Sequence, residues 1–260
     1  MPFNGDAPLF VLRFGFLSPA IFDTRITQEQ GFSGKSESEM KRSVKVALAV
    51  AGFCLAAGVV YLGVRDRRPV LVCLGDSLTS CGGPGGHYSD WLAGFMPYVK
   101  VIDAGISGDT LVGGRARFER DVLKHAPDVL LIALGANDFW RNDRPVEEMA
   151  ADLEAMVAGA RAKNMQVVVA SCFGDRQFWE ELCVEFDPGR YGLARSIAQM
   201  EQSVCGAHGA FYVPNMQVDV KPNRLPPYWD ETDHPSRAGN GQVALRLLPA
   251  LRLALARAAR

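Results

Sequence analysis

The sequence predicts an α/β fold carried on a doubly wound parallel sheet of about five strands. Two observations lead there. From Pro69 onward, short and almost continuously apolar runs recur, and between them lie stretches with helical spacing. Strands that alternate with helices are joined by βαβ crossovers, which stack into an open sheet with helices on its faces.

Val70–Leu74, Val99–Ala104, Val129–Leu134, Gln166–Ala170 and Ala210–Val213 read as the strands. The first and third have almost no polar residue, as expected of strands buried on both faces. Tyr88–Met96, Arg115–Lys124, Val146–Lys163, Tyr191–Gly206 and Ala238–Ala258 read as helices. No internal repeat is present. The stretches Cys172–Gly189 and Asn215–Asp233 are long and irregular, which suggests loops over a site.

The composition divides the chain into residues 1–39, 40–68 and 69–260. The first part is irregular, rich in Gly, Ser and Phe, and is read as an extension lying upstream of a translation start at Met40. Lys41, Arg42 and Lys45 then precede 19 uncharged residues, Val46–Val64, closed by Arg65, Asp66, Arg67 and Arg68. As a helix this run is roughly 28 Å long, about the thickness of a bilayer core. It is too long for the usual h-region of a cleaved signal, and its Ala56-Ala57-Gly58 cluster lies inside the run instead of after it. An uncleaved signal anchor is therefore expected, with the downstream domain on the periplasmic or extracytoplasmic side, or secreted if cleavage occurs. Basic residues at both ends leave the orientation weakly specified.

A formal net charge of −1 and a pI near 6.4 supply no global field for nucleic acid, and no nucleic-acid partner is expected. The six cysteines form no CxxC pair and no zinc spacing. A bridge among Cys172, Cys183 and Cys205 is conceivable in an oxidising compartment; inert thiols are the preferred reading. No cluster of His, Cys and carboxylate suggests a metal, and no cofactor is expected.

Ligand crevices in such sheets lie beyond the carboxyl ends of the strands. Four polar segments fall at that edge: Gly75-Asp76-Ser77-Leu78, Gly105-Ile106-Ser107-Gly108-Asp109-Thr110, Gly135-Ala136-Asn137-Asp138 and Asp230-Glu231-Thr232-Asp233-His234-Pro235-Ser236. Singly, each has an ordinary explanation. Ser77 could be a helix N-cap, Gly108 a turn glycine, Asn137 a cap and His234 a surface histidine. Together they supply what acyl transfer needs. A serine hydroxyl becomes nucleophilic when an imidazole takes its proton, and a carboxylate orients that imidazole. The oxyanion needs fixed N–H donors, here the backbone N–H groups of Ser77 and Gly108 and the side-chain amide of Asn137. Glycine at 108 lets substrate approach the backbone.

These four blocks resemble those of the GDSL esterases, or SGNH hydrolases, named for the Ser, Gly, Asn and His that match Ser77, Gly108, Asn137 and His234. The resemblance covers residues 69–258 and is similar in size and spacing to the small bacterial lysophospholipase and thioesterase branch. It implies a flavodoxin-like three-layer α/β/α fold and metal-free hydrolysis of esters or thioesters through an acyl-serine. One position departs from the family pattern. Asp usually stands three residues before the histidine, where this sequence has Glu231. Glu231 is the favoured acid and Asp230 the alternative; Asp233, adjacent to His234, is the least suited.

Asp76, Asp109 and Asp138 are expected to cap or buttress the blocks, and His87, His125 and His208 to lie at the surface. Cys81 is read as a packing residue beside the site. Phe139, Trp140, Phe173, Phe178, Trp179, Tyr228 and Trp229 fall in segments over the crevice, with Asp175, Arg176 and Arg190 among them. They suit a lipid-like or small acyl ester, while an O-acetylated cell-envelope glycan, acyl transfer to a sugar hydroxyl and a non-catalytic anchored binding protein remain alternatives. The sequence does not fix the oligomeric state.

Overall fold

The computed structural model describes residues 37–63, 68–174, 188–217, 227–229 and 234–259. The chain divides into two units, Met1–Arg65 and Asp66–Arg260. In the first, Glu37–Gly63 forms helix α1, whose side chains from Lys41 to Cys54 are all exposed. Among the described residues, no helix is long and apolar enough to cross a membrane. The side chains described on α1 end at Cys54, part-way along the uncharged run.

The second unit is built on strands β1 (Val70–Gly75), β2 (Lys100–Gly105), β3 (Val129–Ala133), β4 (Gln166–Ala170) and β5 (Phe211–Val213). All pairs are parallel, in the order β2-β1-β3-β4-β5. This is the flavodoxin-like order, whose switch point falls between β1 and β3. The five expected strands are therefore present, within a residue at their ends. The β1 and β3 runs are apolar throughout because both faces are covered. Val72, Leu74, Leu130, Ile132, Val167 and Val169 face one core layer, while Leu71, Cys73, Val129, Leu131 and Val168 face the other.

The remaining elements follow in chain order. Helix α2 is Ser77–Ser80, α3 is Tyr88–Phe95, α4 is Leu111–Ala116 and α5 is Phe118–Asp121. After β3 come α6 (Ala136–Arg141) and α7 (Val146–Ala162), then α8 (Tyr191–His208) and α9 (Arg237–Ala258). Met149 and Leu153 of α7 and Ile197 of α8 fill the first layer, and Tyr88 and Leu92 of α3 with Val243 and Leu247 of α9 fill the second. Each such side chain contributes roughly 1.5–3 kcal/mol by leaving water. Helices on both faces make the three-layer α/β/α arrangement.

One expected element is different. The stretch Arg115–Lys124 is not a single helix: α4 ends at Ala116, α5 follows, and Leu123–His125 is a 3₁₀ turn. The break is at Arg117, with φ −103° and ψ 6°. Its guanidinium turns inward and donates to the carbonyls of Gly75 and Ala104, at the carboxyl ends of β1 and β2. Among the cysteines, Cys73 and Cys205 are buried thiols outside any disulfide, so the conceived bridge does not involve Cys205; Cys183 lies outside the described residues.

Candidate active site

Strand β1 ends at Gly75, and the chain turns at once into α2. Asp76, fully buried, caps that helix by accepting from Leu78 N at 2.9 Å. Ser77 is therefore the first helical residue and not the cap, and it lies half-buried at the mouth of the switch point. A close approach fixes glycine at 75, since a Cβ there would run into Thr79 and come within 2.9 Å of Ala133 O.

His234 arrives from the far end of the chain, 157 residues away, and its Nε2 lies 2.9 Å from Ser77 Oγ. Nε2 accepts the hydroxyl proton when the ring proton resides on Nδ1. Several contacts hold this histidine in place. Pro235 bridges to Trp229 in antiparallel fashion, Ser236 N donates to Tyr228 O at 2.8 Å, and the Ser236 hydroxyl accepts from Gly239 N at 3.3 Å to cap α9. One turn on, the buried Asn240 amide donates to Cys81 O at 2.8 Å and Gly86 O at 3.1 Å. Arg237 Nε and Nη2 reach Gly85 O at 3.2 and 2.6 Å. The first turn of α9 thus clasps the segment that follows Ser77.

The other two blocks close on the same point. Gly108, with φ +76°, sits in the left-handed region that glycine occupies at little cost. Its carbonyl accepts from Arg141 Nη2 at 2.6 Å. Asn137, in the first turn of α6, donates through Nδ2 to Asp109 O at 2.9 Å and to Asp76 Oδ2 at 3.2 Å. The Ser77, Gly108 and Asn137 blocks are thereby tied into one rim.

The acids of these blocks act as braces. Asp138 accepts from Leu111 N at 3.0 Å, and Asp109 pairs with Arg117 at 2.7 Å. Burial pushes the Asp76 carboxyl up to about 7; the Leu78 N–H pulls down, while Asp109 and Asp138 push further up. Burial likewise raises Asp138, against the pull of Leu111 N–H. Beneath Gly135 lies Glu201, whose Oε1 would be 3.2 Å from a Cβ at that glycine. Burial lifts Glu201 to about 8, partly opposed by the Ser171 hydroxyl.

Phe139, Phe173 and Trp229 are buried anchors, whereas Trp140 and Tyr228 are exposed. Phe178, Trp179, Asp175 and Arg176 lie outside the described residues, as do Glu231, Asp230 and Asp233. His208 meets Glu154 at 3.1 Å on the surface, while the half-buried His87 heads α3 in a capping box with Asp90. The Cys81 thiol packs toward Leu78 O and Asn240. Arg117, Asn240, Arg141 and Glu201 were not legible as site residues. Arg117 falls inside the expected Arg115–Lys124 helix and Arg141 between expected elements, and nothing in the spacing marks Asn240 as a clasp.

A serine–imidazole pair at the switch point of a flavodoxin-like sheet defines a hydrolase of the nucleophilic-serine class. The chain belongs to the GDSL-like lipase/acylhydrolase family, whose model matches residues 73–241, and is by that membership a serine ester hydrolase. It is 32% identical to an arylesterase of Vibrio mimicus over 145 residues, 51% of this chain and 68% of that protein. An acetylxylan esterase of Geobacillus stearothermophilus is 34% identical over 88 residues, 27% of this chain and only 40% of that protein. The crystal structure of TesA shares the fold, with a TM-score of 0.61 at 21% identity over 71% of this chain and 99% of that one.

Proposed function

We propose that the protein hydrolyses carboxylic esters or thioesters of small or lipid-like acyl groups through an acyl-Ser77 intermediate. The observation that carries this is the 2.9 Å separation of His234 Nε2 from Ser77 Oγ. His234 takes the hydroxyl proton as Oγ bonds to the carbonyl carbon. The resulting oxyanion accepts from the N–H groups of Ser77 and Gly108, and from Asn137 once its amide exchanges the longer bond to Asp76 for the substrate oxygen. The imidazolium then protonates the departing alcohol or thiol. Water, deprotonated by the same imidazole, releases the acid and restores Ser77. Glu231 is the proposed partner of His234, with Asp230 as the alternative.

The test is hydrolysis of 4-nitrophenyl acetate and butyrate by the full chain, with fluorophosphonate labelling. Wild type is expected to turn over and to label at Ser77; Ser77→Ala should do neither. Folded wild-type protein that does neither would return the chain to the non-catalytic binding reading.

A second reading, O-deacetylation of a cell-envelope glycan, is favoured by the acetylxylan esterase among the relatives. Release of acetate from acetylated xylan, faster than from aryl esters, would favour it. Transfer of the acyl group to added sugar in place of water would mark an acyltransferase.

We further propose that α1 is a signal anchor holding the hydrolase domain outside the cytoplasm. The apolar, uncharged run and the exposed Leu48, Val50 and Phe53 support this, since such a surface is costly in water. Extraction of membranes with carbonate should leave the full chain in the pellet; recovery in the supernatant would refute anchoring.

A further inference from the structure

We infer that Arg141 selects esters bearing an anionic group close to the scissile bond, an inference that rests on the ester-hydrolase reading and names its substrate class. Arg141 is the last residue of α6, one turn beyond Asn137, and its Nη2 donates to Gly108 O across 2.6 Å. Gly108 is the proposed oxyanion donor, so the guanidinium stands at the edge of the reacting centre. Among the described residues, a Cβ built on Gly108 would meet a single atom within 4 Å, Arg141 Nη2 at 3.9 Å. Among those residues that side of the glycine is otherwise open, and what enters there faces a cation held on the Gly108 carbonyl.

Among the described residues the charge of Arg141 is unanswered. Arg115, Arg117, Arg120 and Arg144 each lie within ion-pair distance of a carboxylate, at 2.7–2.9 Å for the closest contacts. Among the described residues Arg141 has no such partner; it spends one donor on a carbonyl and is exposed. A guanidinium has five N–H donors in a planar fork, a shape suited to two oxygens of a carboxylate or phosphate.

Among the described residues, the acids around the site do not cancel it. Asp109 is paired with Arg117. Asp76 and Asp138 are buried behind the rim, where they accept from Leu78 N and Leu111 N. Burial favours the neutral form of both carboxyls. As far as the described residues go, the mouth beside Gly108 therefore favours anions through Arg141, and because Arg141 is exposed this preference weakens with salt.

Two charge-matched pairs of esters test this. One varies the acyl side, 4-nitrophenyl hydrogen adipate against the corresponding adipamic acid ester; the other varies the alcohol side, 4-acetoxybenzoate against 4-acetoxybenzamide. The reading is the ratio of kcat/KM, anionic over neutral, for the full chain. On at least one pair, R141Q should lower this ratio about tenfold, R141K should keep most of it, and 0.5 M salt should depress it in wild type. A ratio unaffected by salt in wild type, or equal in R141K and R141Q, overturns the inference while hydrolysis of the neutral esters upholds the enzyme. Failure of wild type on both neutral and anionic esters overturns the hydrolase reading and this inference together.

Discussion

Asn137 Nδ2 lies 3.2 Å from Oδ2 of Asp76, the buried residue immediately before Ser77. The acid that caps the nucleophile's helix therefore also holds the amide proposed to stabilise the oxyanion. A charged acceptor binds an amide more strongly than a neutral one. With its carboxyl pushed to about 7, Asp76 tightens its hold on Asn137 as pH rises through neutrality. Asp76→Asn keeps a capping oxygen but removes this titration. The kcat ratio of Asp76→Asn to wild type should rise about threefold or more between pH 6 and 8.5. A ratio constant with pH would refute the coupling.

Asn137→Ala removes the amide altogether. The expected loss is about 10²–10³ in kcat with little change in KM, as for other side-chain oxyanion donors. Burst kinetics with a 4-nitrophenyl ester would show whether acylation itself is slowed, which the proposed role requires.

Glu201→Gln tests the buried carboxyl beneath Gly135. Its folded-state value, about 8, lies above the ordinary 4.5, so the folded chain binds the proton more tightly. Stability associated with that proton is fully present below pH 4.5 and is lost as pH rises through 8. The glutamine variant escapes this loss. Its melting temperature relative to wild type should climb from pH 5 to pH 9 by at least about 2–4 °C, the shift that roughly 1 kcal/mol produces in a domain of this size. A parallel pH dependence in the two proteins would exclude an ionising Glu201.

Arg117→Ala should destabilise by about 3–5 kcal/mol, because it strands Asp109 and removes the guanidinium donor from the Gly75 and Ala104 carbonyls. The urea midpoint should drop accordingly. Changing Arg120, an exposed arginine of the same region, to Ala should move the midpoint far less.

Glu231→Ala and Asp230→Ala separate the two acids proposed for His234. The variant lacking the true partner should lose about 10³–10⁴ in kcat, the other far less. A larger loss at Asp230 would reassign the role.

Much of this was legible in the sequence because apolar runs flanked by helical spacing report burial directly, as β1 and β3 show. Ser77, Gly108, Asn137 and His234 were legible only as an ordered set, since each alone has a mundane use. The structure brings Ser77 and His234 into hydrogen-bonding range and ties the Gly108 and Asn137 segments to the same edge. What stayed hidden depends on direction. A period-3.6 pattern cannot say that Arg117 points into the sheet and breaks its helix, or that Asn240 reaches back to Cys81 and Gly86. Both are long-range hydrogen bonds, which leave no local trace in the spacing of apolar residues.

The clasp formed by Arg237 and Asn240 has a consequence for the life of the chain. Translation delivers Ser77 well before His234, and only the docking of α9 sets the base against the nucleophile. A nascent or proteolytically shortened chain that lacks α9 therefore exposes an inert serine, and esterase competence waits on the docking of that helix.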